Sequence, residues 1–280
     1  MVIFAVGLSV GFFQQKKEAE IKIGEADFHS AYFIQKDFYT GIEKPEVVEP
    51  LDKKVVGGIV SHHFFAEREI SKLFASWREQ KFETLVIIGA NHYSAGSSNI
   101  LVSKLPYETP WGILEIDEEK TNDLMAFGLV KNEETPFKME HAISTLVGFA
   151  KYYLPETKLL PIIIKRDTSI KEVESLVKAL SEFENVLVIS SVDFSHHVDL
   201  TTAENQDKQT VELIKNFDTK NIFLLSSQQL DNPPALVVLL DYLKIKNAKQ
   251  FEFWNTNQAR ISGNFSSQDV TSYIFASFFE

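Results

Sequence analysis

The stretch TLVIIGANH, residues 84–92, decides the fold class of this chain. Residues 85–88 form a continuous apolar run, with no alternation between apolar and polar side chains. A strand with one face in water shows such alternation, so this run predicts a buried strand that is covered on both faces. A histidine, His92, follows the run closely. The segment therefore predicts one strand of a sheet with helices on both faces and a polar side chain at the strand end.

The same kind of strand recurs along the chain and alternates with helices. Further strands are predicted at 54–60, 99–105, 158–165, 185–192, 250–257 and 270–279. Helical spacing of apolar residues predicts helices at 64–80, 141–154, 169–183 and 233–244. Ser169 and Glu172 have the spacing of a capping box at the start of one of them. This alternation predicts βαβ units, and hence a three-layer α/β/α sandwich with a mostly parallel central sheet.

Composition narrows the classes of function. The 280 residues are 44% hydrophobic and 24% charged, which is ordinary for a soluble globular protein. The net charge of -11 argues against a nucleic-acid partner, because phosphates require a sustained basic surface. The chain has no cysteine, which excludes disulfides, thiolate metal sites and cysteine nucleophiles. Any metal ion must therefore be held by histidine, carboxylate or carbonyl oxygen.

The amino-terminal stretch VIFAVGLSVGFF, residues 2–13, has two interpretations. Its twelve residues are fewer than the roughly 20 that a membrane-spanning helix needs, which favours a first buried strand. The alternative is an anchor or export segment. We predict an apolar segment and linker over residues 1–52 and one α/β domain over residues 53–280. We expect a cytoplasmic location, with membrane tethering or export only if residues 2–13 serve as that anchor.

Histidines cluster at the predicted strand ends. Six of the seven lie in four short segments: His62 and His63, His92, His141, and His196 and His197. Three segments follow a strand and the fourth opens a helix. Because the carboxyl ends of parallel strands share one rim, we expect these segments to meet in a single pocket. Neighbouring residues of an extended chain point in opposite directions, so one member of each pair should lie outside the innermost ring of residues.

Imidazole chemistry leaves two interpretations of this pocket, metal binding and acid–base catalysis. Two histidines and one carboxylate make the facial triad of non-heme Fe(II) sites, and the same set also suits hydrolytic zinc. The candidate carboxylates are Asp193, Glu140 and Asp231. Asp193 could instead cap the turn before His196, and Glu140 could simply favour a helix amino end.

Six segments, in this order, resemble the Memo-like family, also called AmmeMemoRadiSam system protein B. They are GGIVSHHFF (57–65), VIIGANHYSAG (86–96), YETPWGILEID (107–117), EHAIST (140–145), SSVDFSHH (190–197) and SGNFSSQDVTSYIFAS (262–277). The resemblance covers residues 54–280. It departs from the family at the first loop, where the family has PHAGY and this chain has Ser61 for Pro and His63-Phe64 for Ala-Gly. It implies the fold of class III extradiol dioxygenase catalytic subunits, which cleave catechol rings at a His₂-carboxylate Fe(II) site.

The resemblance also implies residue roles. His62 and His92 match the two histidine ligands, and LDN (230–232) matches a family segment, LCG, so that Asp231 replaces the usual cysteine. This donor set suits Fe(II), with Zn(II) or Mn(II) as alternatives, rather than Cu(I). The surrounding polar residues of the family, with roles in proton transfer or in orienting the ligands, correspond to Glu140, His141, Asp193 and His196.

The function expected from the resemblance is a metal-dependent redox or dioxygenase-type enzyme that acts on an unidentified small molecule. The family name also implies AmmeMemoRadiSam system partners, including a radical-SAM protein. Two alternatives use the same pocket. One is a zinc hydrolase, and the other is a non-catalytic interaction protein that binds a peptide or partner in the cleft.

Overall fold

The structure is a computed structural model that describes residues 28–44, 47–248 and 250–280. The strand or anchor predicted at residues 2–13 lies outside the described residues. Within them, no helix combines the length and the apolar character that crossing a bilayer requires.

The strands of the described residues are β1 (His29–Ser30), β2 (Val55–Val60), β3 (Thr84–Ala90), β4 (Ile100–Val102), β5 (Tyr107–Thr109), β6 (Gly112–Leu114), β7 (Lys131–Asn132), β8 (Lys158–Ile164), β9 (Val186–Ser191), β10 (Gln250–Asn257) and β11 (Ser272–Phe279). The helices are α1 (Thr40–Glu43), α2 (Glu67–Ser76), α3 (Glu118–Ala126), α4 (Glu134–Met139), α5 (His141–Ser144), α6 (Val147–Tyr153), α7 (Ile170–Ser181), α8 (Leu200–Lys215), α9 (Thr219–Phe223), α10 (Pro233–Ile245) and α11 (Gln258–Ser262). Short 3-10 turns occur at Lys36–Phe38 and Phe64–Ala66.

An eight-stranded sheet forms the centre of the molecule, in the order β10-β11-β2-β9-β3-β8-β4-β7. Its middle strands β2, β9, β3 and β8 are mutually parallel. Antiparallel pairing joins β11 to β2, β10 to β11, and β4 to β8. A second, three-stranded sheet has the order β1-β5-β6.

Helices cover both faces of the central sheet. In β3, Val86 and Ile88 belong to one hydrophobic core, while Leu85 and Ile87 belong to the other. The first core is closed by α7 and α10, and the second by α2 and α6. Successive side chains of a strand point to opposite faces, so a strand buried on both faces is expected to be mainly apolar along its length. The predicted three-layer α/β/α fold with a mostly parallel sheet is confirmed.

Local signals account for the helix boundaries near the strand ends. The capping box predicted at Ser169 and Glu172 is present at the start of α7. The side chain of Asn232 caps α10 by accepting from the Ala235 N–H at 3.0 Å, and it donates to the Ile164 carbonyl at 2.7 Å. Asn232 therefore fixes the start of α10 to the end of β8.

Two predicted helices differ from the structure. The helix predicted at 141–154 is divided into α5 and α6, because the Leu146 N–H bonds the Ile143 carbonyl at 3.0 Å, which tightens the turn between them. The helix predicted at 64–80 begins with a 3-10 turn and ends at Ser76. Helices α3 and α4 were not predicted.

Residues 28–44, the N-terminal strap, pack against the α/β domain. His29 pairs with Tyr107 between β1 and β5, and its Nε2 lies 2.8 Å from Glu134 Oε2. Tyr39 is fully buried, with its hydroxyl donating to the Phe33 carbonyl at 3.0 Å. The strap precedes the start that we predict for the domain, near residue 53, yet it contacts that domain. The division at residue 52 stays a prediction.

Helix α8 carries a buried carboxylate that anchors the loop after β9. Asp207 is 2% exposed, and its Oδ1 accepts from the hydroxyls of Ser195 at 2.8 Å and Ser272 at 2.7 Å. Burial raises the pKa of Asp207, and these two hydrogen bonds only partly oppose it. Ser195 directly precedes His196, so Asp207 positions a segment that carries a predicted site residue.

We expect Asp207→Asn to gain stability relative to wild type as the pH rises, because the amide oxygen still accepts hydrogen bonds without the cost of a buried charge. The pKa of Asp207 in the folded protein lies above its ordinary value of 3.8. Wild type therefore loses stability as the pH climbs through that folded pKa. Urea unfolding at pH 4 and pH 8 should reveal a change of about 1 kcal/mol or more in favour of the variant.

The exposed Asp123 supplies the control for this measurement, since Asp123→Asn should track wild type at both pH values. An unfolding free-energy difference between Asp207→Asn and wild type that is the same at pH 4 and pH 8 would contradict the raised pKa.

Candidate metal centre

The ends of three parallel strands and the starts of two helices form the site. His62 follows β2, His92 follows β3, and Asp193 follows β9. Glu140 caps the amino end of α5, and Asp231 lies two residues before the first residue of α10. The predicted meeting of the histidine-bearing segments at one rim of the sheet is therefore what the structure contains.

A glycine lets α5 approach β3 closely enough to join the site. A Cβ atom at Gly89 would lie 2.8 Å from the Ala142 Cβ, which is closer than such atoms can pack, and 3.1 Å from the Ile143 Cδ1, which is also a tight contact. The absence of a side chain at Gly89 allows α5 to rest on the end of β3. This contact brings Glu140, at the start of α5, next to His92.

Two histidines and one aspartate converge on a single point. Asp231 Oδ2 lies 3.3 Å from His62 Nε2 and 3.6 Å from His92 Nε2. Both carboxylate oxygens of Asp231 are buried, and neither makes a hydrogen bond of good geometry with another described residue. Leaving a buried polar atom without a partner costs about 1–3 kcal/mol, and more for a charged group. A cation bound between these three side chains would remove that cost.

The other ring nitrogen of each histidine is held in place. The Ser191 hydroxyl donates to the Ala142 carbonyl at 2.6 Å, so it can only accept from His62 Nδ1, 3.2 Å away. Glu140 Oε1 accepts from His92 Nδ1 at 2.8 Å. In both rings the proton therefore lies on Nδ1 in the neutral form, which leaves the Nε2 lone pair directed at Asp231.

His141 lies beside these residues as a further nitrogen donor. Its ring stacks on His92 with centroids 4.5 Å apart. The ligand atoms of His62, His92 and His141 all lie within 4.8 Å of one another, a spacing that could hold a metal ion. The structure thus offers both a three-histidine set and a set in which Asp231 joins His62 and His92.

Electrostatics favour positive charge at the centre of the site. Burial lowers the pKa of His92, but the adjacent carboxylates of Asp231 and Glu140 outweigh it and raise the pKa to about 10. Burial, followed by the charges of His62 and His92, lowers the pKa of His141 to about 4. Burial raises the pKa of Glu140, but its bonds to His92 and to the Ala142 N–H lower it overall. The proton that His92 carries near neutral pH therefore supplies positive charge in the region where a metal ion would bind.

Asp193 and His196 form the next part of the site. Asp193 Oδ2 is 3.7 Å from His62 Nε2, and Asp193 Oδ1 accepts from the Ser61 hydroxyl. The Asp193 carbonyl accepts from the Asp231 N–H at 3.1 Å, so the loop after β9 supports the loop before α10. His196 has a buried Nδ1 without a described partner, and burial lowers its pKa against the opposing charges of Asp193 and Asp231.

The second histidine of each pair is bound elsewhere, as expected from the alternation of side chains. His63 Nδ1 lies 2.7 Å from the hydroxyl of buried Tyr273. His197 has a positive φ of 52° and a side chain that is 79% exposed, and its Nδ1 lies 2.9 Å from Asp269 Oδ1. His62 and His196 are therefore the members that face the site, although His197 also borders its mouth.

A cavity of about 450 Å³ opens onto His92 and Asp231. Its lining includes Arg166, which extends from the loop after β8 and donates to three main-chain carbonyls: Leu225 at 2.6 Å, Leu230 at 2.7 Å and Asp231 at 2.7 Å. Burial lowers the pKa of Arg166, and the negative charge of Asp231 opposes this shift. The guanidinium group keeps its charge under all ordinary conditions.

The N-terminal strap also reaches the site. The ring of Tyr32 lies 6.4 Å from the ring of His141 and 6.1 Å from that of Phe64, and the Tyr32 N–H bonds the Ser144 carbonyl at 2.8 Å. Sequence reasoning missed Tyr32, because no motif precedes residue 54. It also missed Arg166 and Ser191, although their positions at the ends of predicted strands were a usable signal.

Comparison with known proteins is consistent with this architecture. The family model described as Memo-like protein matches residues 50–276. The crystal structure of the uncharacterized protein JW3007 from Escherichia coli K12 has a similar fold, with a TM-score of 0.52 and 11% identity, covering 79% of this chain and 99% of that one.

Three relatives of known sequence lead to the same family. The MEMO1 family protein PAE0818 of Pyrobaculum aerophilum is 29% identical over 189 residues, 64% of this chain and 66% of that protein. The MEMO1 family protein of Caldivirga maquilingensis is 31% identical over 185 residues, 63% of this chain and 62% of that protein. That of Aquifex aeolicus is 32% identical over 155 residues, 54% of this chain and 38% of that protein.

The matched regions span less than two thirds of these relatives. Because the family model matches most of the chain, residues 50–276, this chain belongs to the Memo-like family.

Proposed function

We propose that His62, His92 and Asp231 hold one divalent metal ion and that the protein is a metal-dependent redox enzyme of the dioxygenase type. One observation carries the proposal. The buried carboxylate of Asp231 has no hydrogen-bond partner among the described residues, yet it faces two Nε2 atoms at 3.3 Å and 3.6 Å. A carboxylate in that position is stabilised by positive charge, which either a proton on His92 or a bound metal ion would supply.

The chemistry of the donor atoms favours particular metals. Two imidazole nitrogens and a carboxylate oxygen suit Fe(II), and they also suit Zn(II) or Mn(II). Three protein ligands leave coordination positions open for a substrate and O₂. The site opens on a cavity of about 450 Å³, which is enough for a small molecule. We propose Fe(II) as the resident metal.

Protein side chains would carry the proton transfers. The lowered pKa of His141, about 4, keeps that ring neutral near pH 7, so it can take a proton from a substrate hydroxyl. His196, with its buried and unpartnered Nδ1, is the other candidate base. Glu140 Oε1 lies 3.5 Å from His141 Nδ1 and would orient that ring, whereas the charge of Asp193 would act on His196 through space. Bound Fe(II) would supply the site at which substrate and O₂ meet.

Elemental analysis of protein purified without air tests the ligand set. We expect about one iron per chain in wild type and loss of that iron in Asp231→Ala and in His92→Ala, because each removes one of three ligands. His141→Ala should retain its iron. The exposed Asp269 gives a matched control, since Asp269→Ala should bind metal like wild type.

The result also separates the alternatives. Retention of iron in Asp231→Ala but not in His141→Ala would replace the proposed triad by the three-histidine set. Zinc in place of iron would favour the hydrolase. A wild-type protein that holds no metal, even after reconstitution, would favour an interaction protein. Association with a radical-SAM protein stays a prediction.

Glu140 gives a second test, because it fixes the ring of His92 through Nδ1 at 2.8 Å. We expect Glu140→Gln to weaken metal affinity by about 10–100-fold while keeping the stoichiometry at saturation. Competition with a chelator measures this change. Glu118→Gln, at an exposed position of α3, serves as the control. Equal affinities for wild type and Glu140→Gln would exclude an orienting role for Glu140.

Asp231→Cys gives a third test, of metal preference. A thiolate is a softer ligand than a carboxylate, so this variant should bind Cu(I) more tightly and Mn(II) more weakly than wild type. Affinities for both metals, measured anaerobically, check the expectation. An unchanged preference in Asp231→Cys would show that residue 231 does not contact the metal.

A further inference from the structure

The cavity beside the metal centre contains a cation that lacks a carboxylate partner. Among the described arginines, Arg68 and Arg260 form ion pairs with glutamates, whereas Arg78 and Arg166 form none, and of these two only Arg166 lines this cavity. Its three hydrogen bonds all go to main-chain carbonyls. Asp231 is the charge that balances it through space. A partly buried cation with no direct counter-ion is stabilised by any anion that reaches it.

Metal binding would neutralise the Asp231 carboxylate, whose negative charge otherwise offsets the positive charge of Arg166. In the proposed site a divalent cation takes the charge of this carboxylate, so the positive charge of Arg166 is no longer offset. Arg166 and Asp231 are the only charged side chains, apart from histidines, among the described residues that line the cavity. The groups that line the cavity would therefore be net positive once the metal is bound, while the carboxylates of Glu140 and Asp193 lie against His92 and His62 and outside the lining.

The same cavity offers hydrogen-bond donors that no described residue accepts from. A guanidinium group has five N–H donors, and the three bonds of Arg166 leave two of them. The side chains of Ser94, Ser227 and Gln228 line the cavity and bond no other described residue. His196 adds its buried, unpartnered Nδ1. A ligand with several oxygen acceptors would satisfy these groups.

We infer that the cavity binds a small organic anion that reaches the metal at one end and places a carboxylate against Arg166 at the other. This inference rests on the proposed metal site, because the metal supplies the second anchoring point. The volume of about 450 Å³ admits a molecule with a handful of carbon atoms. Arg166 would bind the carboxylate through a charge-assisted hydrogen bond.

Lactate and malate provide a matched pair of probes. Both carry a 2-hydroxycarboxylate that can chelate a metal, and malate has one additional carboxylate. In calorimetric titrations of the Fe(II)-loaded protein under nitrogen, we expect malate to bind about tenfold or more tightly than lactate. Arg166→Gln should abolish that preference, and Arg166→Lys, which keeps the charge, should retain part of it.

Lys165 supplies the control, since it is the neighbouring cation but donates to the Gly96 carbonyl at 2.9 Å and does not line the cavity. Lys165→Gln should keep the full preference for malate. Equal affinities of wild type for both probes, or a preference that survives in Arg166→Gln, would overturn the inference. So would an Arg166→Lys protein that behaves like Arg166→Gln.

Metal content, measured first on each protein, separates this inference from the proposed function. If wild type holds iron and shows no preference for malate, the anion site fails and the metal site stands. If wild type holds no metal, the proposed function fails, and the same titrations are made on the metal-free protein. There, a preference for malate that is lost in Arg166→Gln supports the anion site, and its absence overturns it.

Discussion

One row of paired residues across four parallel strands fixes the position along the strands at which the site lies. Val60 of β2 pairs with Ser191 of β9, and Ser191 pairs with Gly89 of β3. Gly89 in turn pairs with Ile163 of β8. A slip of one residue would turn every side chain of a strand to the opposite face. The strands cannot slip, because both of their faces are buried in the two cores.

This row explains why distant parts of the sequence reach one point. His62 and Asp193 lie two residues beyond their paired positions in β2 and β9, and His92 and Arg166 lie three beyond theirs in β3 and β8. The loops need only short excursions from the rim to bring ligands and cavity-lining groups together. The hydroxyl of Ser191, inside the row itself, bonds to His62, so the sheet directly orients a site residue.

The fold could be predicted because its signals are local. Continuous apolar runs mark the strands, and the histidines at the ends of these runs predict where they meet. The arrangement within the site depends on contacts between residues far apart in the chain. Asp231 reaches His62 only because the loop before α10 is tied to Ile164 by Asn232 and to Asp193 by a main-chain bond. No pattern in the sequence predicts those contacts.

The N-terminal strap shows that family resemblance and folding unit have different limits. The family match begins at residue 50, yet His29 lies against Tyr107 with ring centroids 5.1 Å apart, and Tyr39 lies against Phe149 at 5.0 Å. Recombinant protein that starts at the family boundary would lack His29 and Tyr39. It would leave the rings of Tyr107 and Phe149, which are fully buried in the structure, without this cover. Exposed aromatic surface promotes association between copies. Aggregation of such a truncated protein would therefore reflect its missing cover, and would say nothing against the chemistry of the site.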